Sequence, residues 1–168
     1  EGLARDQKSV TLYRVDARGG AATELTTETS PVWVELSDIH MLEKSPTLVW
    51  SVARDGHIHL ETRDRATGKV AKQLTQGPWD VTGVQAIDEE KGLVYFTATK
   101  ESPLERQLYK VPLTGGEPAR VTTERGVHTV KVSAKAGAYI DIHSAGDRRP
   151  QAVVRDLAGA VLGALPVP

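Results

Sequence analysis

The fold is decided by residues 81–116, whose sequence is VTGVQAIDEEKGLVYFTATKESPLERQLYKVPLTGG. Short apolar runs rich in β-branched and aromatic side chains alternate here with turn-forming residues, which is typical of β-strands joined by tight connections. The glycine pair Gly115-Gly116 favours a hairpin, because glycine adopts positive φ without strain. The strands that this pattern predicts cover residues 81–88, 93–99, 107–113 and 118–123.

The same pattern recurs at fixed intervals along the chain. Leu12, Leu60 and Leu108 each open a short apolar run that closes on a turn, and both intervals are 48 residues. The partner runs, which lie 45 residues apart, are 48–50, 93–95 and 138–140. This spacing is typical of four-stranded propeller blades. Helical periodicity is absent, so we predict an all-β fold, a partial β-propeller with about three and a half four-stranded antiparallel blades.

We expect the whole chain, residues 1–168, to form a single propeller portion. The predicted units are half a blade at 10–27 and full blades at 32–75, 81–123 and 127–165. A blade cannot bury both faces of its sheet alone, so blades stack side by side and function lies on loops and rims. An open arc of blades leaves apolar side faces, which favours a homodimer.

Composition excludes several kinds of partner. The 21 Lys and Arg against 22 Asp and Glu give a net charge of −1, which offers no basic field for nucleic acid. There is no cysteine, so disulfides and thiolate metal sites are excluded. No apolar stretch approaches the roughly 18 residues of a membrane span.

The sequence offers no convincing catalytic group. Serine hydrolases hold their nucleophile on a Gly-x-Ser-x-Gly elbow, and this motif does not occur. His40, His128 and His143 could join a triad only by chance. The carboxylate pair Glu89-Glu90 is interpreted as a charged turn. We therefore expect no catalytic residue in this chain and no cofactor.

One strand carries residue types that bind metals. His57, His59 and Glu61 alternate and would project from the same face, and two imidazoles with a carboxylate can ligate zinc. A straight strand holds such neighbours about 6.5–7 Å apart, too far for chelation. The favoured interpretation is a solvated face of an outer strand, so we predict no metal site.

The three tryptophans have different expected roles. Trp50 lies inside an apolar run and is expected to pack between blades. Trp33 and Trp79 stand where the chain enters an inner strand, each close to a proline. At that end of a blade an aromatic ring either packs between blades, which we favour, or lines a pocket.

Several stretches resemble the propeller of bacterial dipeptidyl peptidase IV. The likeness runs from about Leu12 to Asp156 and is most specific between Leu74 and Thr123. The stretches that carry it are 54–60 (RDGHIHL), 73–82 (QLTQGPWDVT), 92–99 (GLVYFTAT), 102–106 (SPLER) and 108–111 (LYKV).

In that family an eight-bladed propeller precedes a C-terminal α/β-hydrolase domain, and the enzyme removes X-Pro or X-Ala dipeptides from peptide N-termini. The resemblance implies that this chain is a non-catalytic propeller part that gates peptide substrates. It also implies a hydrolase domain of the same parent protein as partner, and a periplasmic or secreted location. The family's catalytic serine, aspartate and histidine belong to the hydrolase domain, so none is carried over.

The resemblance points to one candidate substrate-access segment. Residues 33–36, Trp33-Val34-Glu35-Leu36, are similar to the segment that reaches the substrate's side in some relatives. The segment is shorter than the animal pattern and lacks its arginine. We predict Trp33 and Glu35 as substrate-access residues. The alternative hypothesis is a free-standing propeller-type module that binds a protein partner.

Overall fold

The computed structural model describes residues 1–35, 38–146 and 148–166. Within those residues every regular secondary-structure element is a β-strand. This confirms the all-β prediction. The strands form four sheets. Sheet I has β1 (Gly2–Leu3), β2 (Ser9–Val15) and β3 (Ala22–Thr29). Sheet II has β4 (Ile39–Met41), β5 (Thr47–Arg54), β6 (His57–Asp64) and β7 (Val70–Gln73). Sheet III has β8 (Val81–Asp88), β9 (Leu93–Ala98), β10 (Gln107–Pro112) and β11 (Ala119–Arg120). Sheet IV has β12 (Val127–Ser133), β13 (Ala138–Ala145), β14 (Arg148–Asp156) and β15 (Val161–Leu165).

Each sheet is an antiparallel meander in which strands that follow one another along the chain pair side by side. The sheets follow one another in chain order, as the partial propeller requires. Gly115 and Gly116 between β10 and β11 have φ of 84° and 140°, so the expected glycine turn is present. Sheet I is larger than the half blade predicted at 10–27, because Gly2 and Leu3 pair with Thr11 and Val10.

The strand expected at residues 32–42 is mostly irregular. Only Ile39–Met41 forms a strand, which pairs with β5, and Leu36 and Ser37 lie outside the described residues. The segment before them is drawn toward sheet I, because the Val34 N–H donates to the Gln7 carbonyl at 2.7 Å. A backbone donor used in this way cannot join the β5 ladder.

Three apolar clusters hold successive sheets together. Leu12 packs with Leu48, Trp50 and Val52 between sheets I and II. Between sheets II and III the largest cluster joins Leu60 to Phe96 and its neighbours. The cluster between sheets III and IV contains Tyr95, Leu108, Val121, Val130 and Tyr139. Each interface between blades is therefore a core of its own.

Trp50 packs between sheets I and II, as predicted, and it is fully buried. Its equivalence with Tyr95, implied by the 45-residue repeat, is wrong by one residue. Tyr95 faces sheet IV, whereas Phe96 faces the preceding sheet as Trp50 does. Since alternate strand residues face opposite sides, a shift of one position reverses the interface that a side chain joins.

Buried arginines add a polar contact at two of these interfaces. Arg63 of β6 reaches Glu28 of β3, and Arg155 of β14 reaches Glu124, which follows β11. The two arginines lie 92 residues apart and the two glutamates 96, about two blade lengths in each case. At the middle interface the His59 ring of β6 instead meets the edge of the Trp79 ring, with 5.1 Å between ring centroids.

Candidate functional site

The candidate site lies at the ends of the strands, where the connections of neighbouring sheets meet. In an antiparallel meander, the link that enters the first strand and the hairpin between the second and third strands lie at the same end of the strands. A cleft of about 350 Å³ opens there between sheets I, II and III. We call it the Trp33 cleft, and its chemically distinctive lining residues are Glu28, Trp33, Glu35, His57 and Asp80.

The structure brings both predicted substrate-access residues, Trp33 and Glu35, to this cleft. The Trp33 side chain is 63 % exposed and Glu35 is also exposed. The Val32 N–H donates to the Ser30 hydroxyl at 3.3 Å, which helps to hold the segment in place. The segment therefore offers an accessible aromatic ring beside a carboxylate. Trp79 differs, since it packs into the core between sheets II and III.

An ion-pair network lies beside the cleft and reaches it through Glu28. Arg54 binds the Glu28 carboxylate at 2.8 Å and the Glu61 carboxylate at 3.2 Å, while Arg63 pairs with both carboxylates from within the interface. Burial alone would raise the pKa of Glu28, but the hydrogen bonds from Arg54 and Arg63 outweigh it and lower this pKa below its ordinary value. Glu28 is therefore an ionised structural group.

His57 and Asp80 tie sheet II to the entry of sheet III. His57 Nδ1 lies 3.4 Å from the Asp80 carboxylate, whose other oxygen accepts the Ile58 N–H at 2.8 Å. The two serine hydroxyls at the cleft have backbone partners instead: the Ser30 hydroxyl accepts the Val32 N–H, and that of Ser51 accepts the Asp38 N–H at 3.0 Å. Among the residues that the structure describes, the cleft has the groups of a binding surface, and neither serine hydroxyl is paired with a histidine.

The interpretation of His57, His59 and Glu61 as a solvated face is wrong. His59 and Glu61 are only 2 % and 3 % exposed. His59 hydrogen-bonds the Thr75 hydroxyl at 3.1 Å and the Gly77 carbonyl at 2.9 Å, and burial lowers its pKa. The strand faces a neighbouring blade, so its polar side chains need partners inside the protein. These separate partners leave no common point at which a metal could bind.

A second polar group lies between sheets III and IV. His128 of β12 and Asp141 and His143 of β13 are buried, and their potential ligand atoms lie within 4.8 Å of one another. Arg155 and Glu124 adjoin them, and for Glu124 burial favours a higher pKa while hydrogen bonds, including one from Arg155, lower it to about 2. Sequence reasoning missed this group, because it depends on the pairing of His128 with His143 across two strands.

Among the described residues no helix could cross a membrane. A family model of the dipeptidyl peptidase IV N-terminal region matches residues 1–150. Aspergillus niger dipeptidyl-aminopeptidase B is 39 % identical over 90 residues, which cover 52 % of this chain and 10 % of that protein. The chain thus spans about a tenth of the curated relative that it matches.

A solved structure agrees with the fold. Porphyromonas gingivalis dipeptidyl peptidase 4 superimposes on 98 % of this chain with a TM-score of 0.85 and 21 % identity, and the match covers 23 % of that protein. At this identity the likeness concerns the fold, and it agrees with the sequential sheets found here. Together with the family match over most of its length, this places the chain in the dipeptidyl peptidase IV N-terminal region family.

Proposed function

We propose that this chain is a non-catalytic β-propeller portion of a dipeptidyl peptidase IV-like serine exopeptidase that removes N-terminal X-Pro or X-Ala dipeptides. The observation that carries this proposal is the family match over residues 1–150. The bond-breaking residues belong to an α/β-hydrolase domain of the same parent protein. A periplasmic or secreted location is part of the proposal, and fractionation of the source cells tests it.

In this proposal the Trp33 cleft gates access of peptide substrates. Trp33 and Glu35 lie on an edge built from inter-blade links, with an aromatic ring that is 63 % exposed. Aromatic side chains with one free face supply contact area for an extended peptide at little cost in conformational entropy. The propeller then contributes selectivity by exclusion and positioning, while another domain cleaves the bond.

The test uses the full-length parent enzyme with Trp33→Ala, and Val70→Ala as the matched control. Val70 is 51 % exposed on β7, outside the cleft residues. We compare kcat/KM for Gly-Pro-nitroanilide with kcat/KM for a longer peptide that has the same N-terminus. Loss of one aromatic contact should change the ratio of the two by about three- to tenfold in Trp33→Ala.

The control variant should keep the ratio of the wild-type enzyme. Equal ratios in Trp33→Ala and the wild type would refute the gating role. A parent protein that never cleaves Gly-Pro-nitroanilide would refute the enzyme assignment itself.

The alternative is a free-standing module that binds a protein partner. It is favoured by exposed apolar side chains on the last sheet, where Val161 is 58 % exposed and Leu162 is 63 % exposed. The enzyme proposal assigns this surface to an adjoining blade of the parent, and the homodimer expected from the sequence would also cover it. Pull-downs with and without the hydrolase domain, together with light scattering of the chain alone, separate the three.

A further inference from the structure

We propose that the buried group of His128, Asp141 and His143 is a binding site for a divalent transition metal, with Zn²⁺ as the best fit. Two neutral imidazoles and a carboxylate form a recognised zinc ligand set, with the fourth position left for water. The site lies between sheets III and IV, away from the Trp33 cleft, and it does not depend on the proposed function.

The hydrogen bonds of His128 define which ring nitrogen is free to bind a metal. Its Nε2 lies 3.1 Å from the Glu124 carbonyl oxygen. A carbonyl only accepts, so Nε2 carries the hydrogen and the neutral ring keeps its lone pair on Nδ1. This Nδ1 lies 2.8 Å from Asp141 Oδ1, and both side chains are fully buried. In the neutral ring these two acceptors cannot bond each other, so either a second ring proton or a metal ion must lie between them.

His143 faces the same carboxylate at a distance that suits a shared metal. Its Nδ1 lies 3.6 Å from Asp141 Oδ2, and neither atom has a hydrogen-bond partner although both are buried. This separation is too long for a hydrogen bond. With metal–ligand bonds of about 2.0–2.2 Å, two ligands of a tetrahedral Zn²⁺ lie about 3.3–3.6 Å apart. On the His128 side, the pair would open by about half an ångström to match the same geometry.

The surroundings supply what such a site needs. A histidine ligand is oriented by a partner of its other ring nitrogen, and the Glu124 carbonyl takes that place for His128. Arg155 Nε lies 3.3 Å from Asp141 Oδ2 as an ion-pair partner. The carboxylates of Glu124 and Asp141 share the single Arg155 guanidinium, and a bound cation would offset the excess negative charge. A cleft lined by Glu124 and Ser144 lies beside the group, where Ser144 follows His143 in sequence.

The test uses the full chain without an affinity tag, stripped with EDTA and then titrated with ZnCl₂. We expect one Zn²⁺ per folded chain by equilibrium dialysis. The thermal midpoint should rise by about 5–10 °C at a hundredfold excess over Kd. Co²⁺ should give the visible absorption bands of a tetrahedral N/O site.

His143→Gln should weaken Zn²⁺ binding at least about tenfold. The control, His57→Gln, removes a histidine of β6 outside this group and should leave the affinity unchanged. The proposal is overturned if the wild-type chain binds no Zn²⁺, because a proton alone then bridges His128 and Asp141. It is also overturned if both variants bind Zn²⁺ equally. If His143→Gln does not fold, the Co²⁺ spectrum of the wild type decides, and a featureless spectrum refutes the site.

Discussion

The buried side chain of Arg63 is the most sensitive polar link between sheets I and II. Its side chain is only 2 % exposed, its Nε donates to Glu61, and its Nη2 pairs with Glu28. The guanidinium carbon also lies 4.2 Å from the centroid of the Trp50 ring. Arg63→Met keeps most of the side-chain volume and removes the charge, so the measured loss reports on the ion pairs and the ring contact.

The expected loss follows from these contacts. Breaking a buried ion pair costs about 3–5 kcal/mol, and a cation over an aromatic ring adds about 1–2 kcal/mol. Arg54 still pairs with Glu28 and Glu61, which reduces the penalty. We expect the free energy of unfolding of Arg63→Met to fall by about 3 kcal/mol. With an m-value of about 2 kcal/mol/M, the urea midpoint falls by about 1.5 M.

Urea unfolding followed by tryptophan fluorescence measures this loss, with Arg54→Met as control. Arg54 contacts the same carboxylates but its side chain is 33 % exposed, so its loss should cost about 0.5–1 kcal/mol. In Arg63→Met the carboxylates of Glu28 and Glu61 share the single Arg54 guanidinium. Adding Glu61→Gln removes this excess negative charge and should restore about 1–2 kcal/mol. The reasoning is refuted if the two arginine variants lose equal stability, or if Glu61→Gln restores none.

Three further predictions concern sheets III and IV. Gly126→Ala should destabilise the chain by at least about 1 kcal/mol more than Gly137→Ala in the same urea assay. Both positions have positive φ, but only at Gly126 would the added Cβ meet a backbone oxygen, at 2.2 Å. Leu108→Ala should cost about 2–5 kcal/mol, against less than about 0.5 kcal/mol for Leu104→Ala, since Leu108 is fully buried and Leu104 is 84 % exposed. The pKa of Glu124, about 2 in the folded chain against 4.5 ordinarily, means that its stabilising contribution is complete above pH 4.5 and is lost as the pH falls toward 2. Glu124→Gln should therefore lower stability at pH 7 and flatten its decline in that acid range, and an unchanged acid slope would contradict the assignment.

The first three strands of sheet III were predictable because their apolar runs follow the two-residue period of a strand and end at turn-forming residues. Residues 81–88 match β8, and the 107–113 prediction differs from Gln107–Pro112 by one residue. The strand predicted at 118–123 is shorter than expected, since β11 spans only Ala119–Arg120. The segment 32–35 was not predictable, because its conformation depends on a backbone bond from Val34 to Gln7, which is distant in sequence. Local pattern carries no information about such a partner.

Only some residues of the candidate site were predictable from the sequence. The position of Trp33 beside a proline favoured packing between blades, and this prediction is wrong, because Trp33 is 63 % exposed. The family resemblance gave Trp33 as a substrate-access residue, and it lies at a cleft. The burial of His59 and Glu61 could not be foreseen, because polar side chains on a strand normally indicate a solvated face. Their burial is stabilised by partners on other strands and links, as with the Thr75 hydroxyl bound to His59.

Our central proposal is that this chain is a propeller part and that another domain of the parent protein carries out catalysis. Hydrolysis of Gly-Pro-nitroanilide, measured on the isolated 168-residue chain and on the full-length parent protein, tests it most directly. We expect that only the parent protein hydrolyses this substrate and that a serine-directed inhibitor abolishes the hydrolysis. Inhibitor-sensitive turnover by the isolated chain would contradict it.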